Sequence, residues 1–186
     1  MLPIVNKPLI QLIVEEVIEA GFKEIIFITH SSKYSVENHF DKSFELEATL
    51  ENRVKRSLLK EIKALSSLEV SFQSIRQGHA LGLGHAISCG QKIIKKEPFA
   101  VILPDMLLKY NRSNNLKDLK LNYEKTGLSQ ILLAKAKKKD LFNYGVVKTR
   151  KGMIESIIEK PKVDKITSNL FAAGRYIFTP EIFNFI

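Results

Sequence analysis

Apolar residues at Leu9, Ile10, Ile13, Val14, Val17 and Ile18 recur at the spacing of one helix face. The first 21 residues therefore read as a helix, with Pro8 at its first position and Gly21 as its C-terminal cap. The run Glu24-Ile25-Ile26-Phe27-Ile28-Thr29-His30 is continuous and short, as in a strand covered on both faces. Leu46, Leu50, Val54, Leu58 and Ile62 predict a second helix from Phe44 to Leu65. Leu68 to Phe72 alternates like a strand, and Ala86 to Ile94 is helical. Phe99 to Leu103 and Gln130 to Ala134 read as further buried strands. Strands and helices alternate, which predicts an α/β fold with a mostly parallel sheet between helices. After Tyr144 the pattern shifts to short strand-like runs at Gly145–Val147, Ile154–Ile158 and Phe171–Phe178. Thr179-Pro180-Glu181 is a helix start signal, with Thr179 as N-cap.

Composition narrows the class. At 186 residues the chain is one ordinary domain or a piece of something longer. An apolar share of 45% against 26% charged is a globular balance and argues against disorder. A single cysteine, Cys89, excludes an internal disulfide and a thiolate metal site; on the predicted helix it reads as a small core residue. No apolar run is long enough to span a bilayer, and no basic segment precedes an apolar one at the N-terminus. The net charge of +9 favours a polyanionic partner, a nucleic acid or a phosphorylated small molecule. The basic residues are nearly all lysines, the arginines being Arg53, Arg56, Arg76, Arg112, Arg150 and Arg175. Arginine is the usual reader of bases and phosphates, so this balance speaks against nucleic acid.

Three stretches carry candidate chemistry. Gln77-Gly78-His79-Ala80-Leu81-Gly82-Leu83-Gly84-His85-Ala86 places three glycines before a helix. Such a loop lets backbone N–H groups approach a ligand, and the Gln77 amide can both donate to and accept from a nucleobase edge; the alternative is a plain turn. His85 reads as a structural or supporting residue there. Asp105 follows the buried run Phe99–Leu103, where the strand ends of α/β sheets form ligand crevices. Its carboxylate suits Mg²⁺ held against phosphates, or caps a turn. Glu159-Lys160-Pro161 joins an acid to a base at a strand end. Neighbours on a strand face opposite ways, so both reach one ligand only if Pro161 bends the chain. The alternative is a surface charge pair.

In order along the chain, these segments resemble the bacterial UTP–glucose-1-phosphate uridylyltransferases. The strings that carry the likeness include Met1-Leu2-Pro3-Ile4-Val5-Asn6-Lys7-Pro8, Thr29-His30-Ser31-Ser32-Lys33 and Glu37-Asn38-His39-Phe40-Asp41. They also include the Gln77–Ala86 loop, Ile102-Leu103-Pro104-Asp105, Tyr144-Gly145-Val146-Val147, Glu159-Lys160-Pro161-Lys162 and Ala173-Gly174-Arg175-Tyr176. The resemblance implies a Rossmann-like α/β/α nucleotide-diphospho-sugar transferase fold and a single nucleotidyltransferase domain over residues 1–186. It implies UTP and glucose 1-phosphate as substrates, UDP-glucose and pyrophosphate as products, and Mg²⁺ as cofactor. Gln77, Gly78 and Gly82 would bind the nucleotide. Asp105 would carry the metal, and with Lys160, on the sugar phosphate, would be catalytic. Gly145, Glu159, Ala173 and Gly174 would bind the sugar. A cytoplasmic homo-oligomer without nucleic-acid or membrane partners is implied for the full-length form.

The same resemblance implies a preceding strand, a Gly-x-Gly-Thr-Arg loop and a Lys-Glu pair before Met1, and a further C-terminal part after Ile186. The chain thus reads as truncated at both ends, with Asn6 where the family usually has Asp. Little uridylyl transfer, weak UTP binding and poor solubility are expected of residues 1–186 alone. The competing reading is a non-catalytic remnant, a nucleotide-binding module of the same fold.

Overall fold

The computed structural model describes residues 3–4, 7–30, 34–40, 70–108 and 114–186. The expected helix Phe44–Leu65 lies outside these residues. The chain divides into two compact units, residues 1–95 with Ile186, and residues 96–185.

In the first unit, strands β1 (Pro3–Ile4) and β2 (Lys7–Pro8) form a small antiparallel pair. Helix α1 (Leu9–Glu19) follows, so the helix starts later than the periodicity predicts. Pro8 is extended, at φ −63° and ψ 144°, and serves as its N-cap. Gly21 closes the helix as expected, its N–H donating to Ile18 O at 2.8 Å. The buried Ile13, Val14 and Val17 are the predicted face. β3 (Glu24–Thr29) pairs in parallel with β4 (Ser71–Arg76), in register from Glu24 opposite Ser71 to Thr29 opposite Arg76. Of the expected Leu68–Phe72 strand, Leu68 and Glu69 lie outside the described residues, and β4 runs on past Phe72 to Arg76. Helix α2 (Tyr34–Phe40) covers this pair: Phe40 stacks on Phe27 and Phe72 at centroid distances of 5.4 and 5.0 Å. The predicted Ala86–Ile94 helix is two pieces, α3 (Leu83–Cys89) and α4 (Gln91–Ile94), interrupted at Gly90.

The second unit is organised around one strand. β5 (Phe99–Ile102), β6 (Gln130–Lys135), β7 (Gly145–Arg150) and β8 (Met153–Glu159) join β9 (Leu170–Phe178) in a five-stranded sheet. β6 runs along one edge of β9, from Gln130 opposite Ile177 to Lys135 opposite Leu170. Tyr176 and Ile177 also pair with β5, and Leu170 and Phe171 with β7. A strand has two edges, so β5 and β7 share the other one, end to end. All these ladders are antiparallel. The α/β reading holds, with mixed sheets; parallel pairing among the described residues is confined to β3 and β4. The smaller parallel share follows from β9, which inserts between β5 and β6 and runs against both.

Helix α5 (Asn115–Thr126) has no counterpart in the sequence reading. It is mostly polar and buries little beyond Leu116 and Leu119. Asn114 caps it, its Oδ1 accepting from Leu116 N at 3.0 Å and Lys117 N at 3.1 Å. Leu141, Val146 and Ile166 form a buried cluster with Phe171 and Ala136 against it. Thr179 stands at the N-cap position of the final turn, Pro180–Asn184, without a side-chain capping hydrogen bond, and that turn is a short 3₁₀ helix. Among the described residues no helix is long and apolar enough to cross a membrane.

Candidate functional site

Gln77 sits immediately after β4, and its backbone N–H donates to Thr29 O at 2.7 Å. The parallel pair thus delivers Gln77 from a fixed strand end. Its side-chain Nε2 lies 3.2 Å from Gly82 O and 2.9 Å from His85 Nδ1. A carbonyl oxygen only accepts, so the atom facing it is the amide nitrogen. The second proton on that nitrogen then goes to Nδ1 of His85. Both donors are used within the loop, which leaves Oε1 as the amide's remaining hydrogen-bonding atom. This narrows the donor-and-acceptor role expected of Gln77 to that of an acceptor. Gly82 is the N-cap of α3, at φ 95°. Gly78 is exposed, and a Cβ there would meet nothing within 4 Å. Thr29, which holds Gln77, donates its hydroxyl to Glu37 Oε1 at 3.0 Å.

Asp105 lies exposed in the turn that follows β5. Leu103 N donates to Gly174 O at 2.9 Å, and Arg175 Nη1 donates to Leu103 O at 3.1 Å. Arg175 is fully buried, so the turn carrying Asp105 is tied to β9 by main chain and by a guanidinium. Gly174 has φ 66°, and a Cβ would stand 3.0 Å from Met106 Sδ and 3.1 Å from Leu103 Cβ. Only glycine lets the turn pack this closely with that backbone.

Ala173 is completely buried and Gly174 is buried too. They belong to the core of β9 and to the seat of the Asp105 turn.

Gly145 opens β7 directly opposite Glu159 at the end of β8. A Cβ on Gly145 would stand 2.9 Å from Glu159 Oε2. The carboxylate folds across the glycine, and any side chain there would displace it. Lys160 follows with φ 44°, a left-handed backbone that is strained for a non-glycine residue. Its N–H donates to Tyr144 O at 3.1 Å. The strand's alternation therefore ends at Lys160 itself, one residue before the proline on which the sequence reading placed the bend.

Tyr176 is a residue whose role sequence reasoning missed. Its phenol is held above the usual tyrosine range, first by burial and then by the charges of Glu159 and Asp105. Both carboxylates thus bear on one hydroxyl, which stays protonated and able to donate. The sequence signal was its place two residues past Gly174 on the same strand. No cluster of three or more acidic, histidine or cysteine side chains suited to a metal occurs among the described residues. Asp105 is a hard oxygen donor on an exposed turn. That fits the way Mg²⁺ is bound by one or two carboxylates with substrate phosphates completing its shell.

The nucleotidyl transferase family model matches residues 1–186. The UTP–glucose-1-phosphate uridylyltransferase of Haemophilus ducreyi is 46% identical over 100% of this chain and 67% of its own length. Among solved structures, a UDP-glucose pyrophosphorylase from Acinetobacter baumannii superposes with a TM-score of 0.92 at 38% identity, covering 99% of this chain and 67% of its own. A UTP-bound form from the same organism gives a TM-score of 0.91, with the same identity and coverage. The chain thus spans about two thirds of the length of these relatives.

Proposed function

Because the chain belongs to the nucleotidyl transferase family, on the branch of the UTP–glucose-1-phosphate uridylyltransferases, we propose that it serves uridylyl transfer from UTP to glucose 1-phosphate. The phosphate oxygen of the sugar attacks the α-phosphorus of UTP, pyrophosphate leaves, and UDP-glucose forms. Residues 1–186 act here as one nucleotidyltransferase domain.

The observation that carries the reading is the Glu159 carboxylate seated across Gly145, with Lys160 turned off the strand beside it by a left-handed backbone. It supports a site that offers a carboxylate to sugar hydroxyls and an ammonium to a phosphate. In this reading Gln77 Oε1 accepts from the imino N–H of uracil beside the Gly82 loop. Glu159, lying over Gly145, accepts from sugar hydroxyls, and the Gly145 backbone closes against the sugar. Lys160, turned by its left-handed backbone, neutralises the sugar phosphate. Asp105 would hold Mg²⁺, which when bound offsets the negative charge of the phosphates. Chemistry of this kind rests on positioning and charge neutralisation.

A nucleic-acid partner is not part of the reading. The described arginines, Arg76, Arg150 and Arg175, sit on three different strands, with Arg175 buried and Arg76 lying over the Tyr34 ring at 4.9 Å.

The test is UDP-glucose formation by the purified protein from UTP, glucose 1-phosphate and Mg²⁺, with UTP binding followed by calorimetry. Asp105→Asn should lower turnover by about 100-fold, the scale of losing one preorganised charge contact. Near-normal turnover by that variant at limiting Mg²⁺ removes Asp105 from the role. UTP binding without turnover supports the second reading, a nucleotide-binding module of the same fold. Failure to bind UTP overturns both.

A further inference from the structure

We propose that His85 is a specificity-positioning residue: it locks the Gln77 amide so that only an acceptor faces the base. This rests on the uridine reading above and adds to it the group that sets the hydrogen-bond polarity of the site. Two contacts define the lock, Gln77 Nε2 to Gly82 O at 3.2 Å and Gln77 Nε2 to His85 Nδ1 at 2.9 Å. The carbonyl fixes which end of the amide is nitrogen. The ring must then present a lone pair at Nδ1, so the neutral imidazole carries its proton on Nε2. His85 is held in place from its own helix: Ser88 Oγ donates to His85 O at 2.8 Å.

The consequence is a choice between pyrimidines. Oε1 of Gln77 accepts from uracil, whose N3 bears a proton. Cytosine offers a lone pair at N3 and would face oxygen against nitrogen with no proton between them. An amide free to rotate would satisfy either base, by presenting oxygen to one and nitrogen to the other. Discrimination therefore needs the lock, and of its two contacts the His85 side chain is the one a substitution can remove. Without it, one proton of Nε2 is released and the penalty for rotation falls by one hydrogen bond.

Two measurements on the 186-residue protein test this. Nitrogen-15 NMR of histidine-labelled protein in mildly alkaline buffer reads the tautomer directly; Nδ1 unprotonated and Nε2 protonated is expected for His85, and the reverse tautomer overturns the proposal. Calorimetric titration with UTP and with CTP reads the specificity. His85→Leu should narrow the UTP-over-CTP preference by about tenfold, the worth of one hydrogen bond. His85→Asn, whose side-chain oxygen takes the place of Nδ1, should restore it. A preference unchanged in His85→Leu, with UTP bound normally, overturns the lock alone. Equal binding of UTP and CTP by the unaltered protein overturns the uridine reading and the lock with it.

Discussion

In the proposed reading, Gly145 matters for its missing side chain to the site and hardly at all to the fold. The atom that a Cβ would strike, Glu159 Oε2 at 2.9 Å, is the free end of a flexible chain. Gly145→Ala should therefore cost under about 1 kcal/mol in stability, as an ordinary surface change does. The carboxylate must still turn away, so the KM for glucose 1-phosphate should rise by about tenfold with kcat nearly kept. Thermal melts beside steady-state kinetics check the split; a collapsed melting temperature would show that the glycine serves the fold. At this scale the sequence was legible where a residue stands at the end of a strand. Gln77, Asp105 and Glu159 all follow or close strands, and the structure places each at a strand end. Tyr176 and the Gln77–His85 contact were not legible. They depend on which way a side chain leaves a strand or loop, and that direction is set by partners far away in sequence.

Elements were readable in proportion to their apolar content. β3, β5 and β6 are runs of aliphatic and aromatic residues, and appear within a residue or two of where periodicity puts them. α5 was missed because it carries almost no stripe: Leu116 and Leu119 are its buried residues, and lysines and asparagines make up much of the rest. Its start is set instead by a side-chain cap. Asn114→Ala removes the acceptor for two backbone N–H groups. The variant should lose about 1 kcal/mol of stability, read as a lower urea midpoint. An unchanged midpoint would mean that packing of Leu116 alone holds the helix. The two pieces at Leu83–Cys89 and Gln91–Ile94 have the opposite history, since their periodicity runs straight through an interruption that Gly90 makes in the backbone.

For the molecule as a whole, acidity is the condition that the structure ties most directly to stability. His39 donates from Nε2 to Gln11 Oε1 at 3.1 Å, since the Gln11 amide nitrogen already donates to Glu15 at 3.0 Å. Lys7 completes the chain on Glu15 at 2.7 Å, so β2, α1 and α2 share one polar network. Burial lowers the His39 pKa below its ordinary 6.5. The fold thus favours the neutral ring, and its contribution is present above pH 6.5 and lost as pH falls through the lowered value. Urea midpoints at about pH 7.5 and about pH 5.5 should differ more for the native protein than for His39→Gln. Equal differences would show that other groups carry the acid sensitivity.

β9 has one more consequence, and it concerns time. β5, β6 and β7 all find their partner in residues 170–178, later in the chain than any of them. On the ribosome, the β7–β8 hairpin can close as soon as it emerges, because its two strands are adjacent. β5 and β6 must wait, with their apolar faces exposed, until Arg175–Phe178, nearly 80 residues beyond Phe99, have been synthesised. The central strand is the last of the five to be made, so this sheet cannot close until nearly all of the unit has been synthesised.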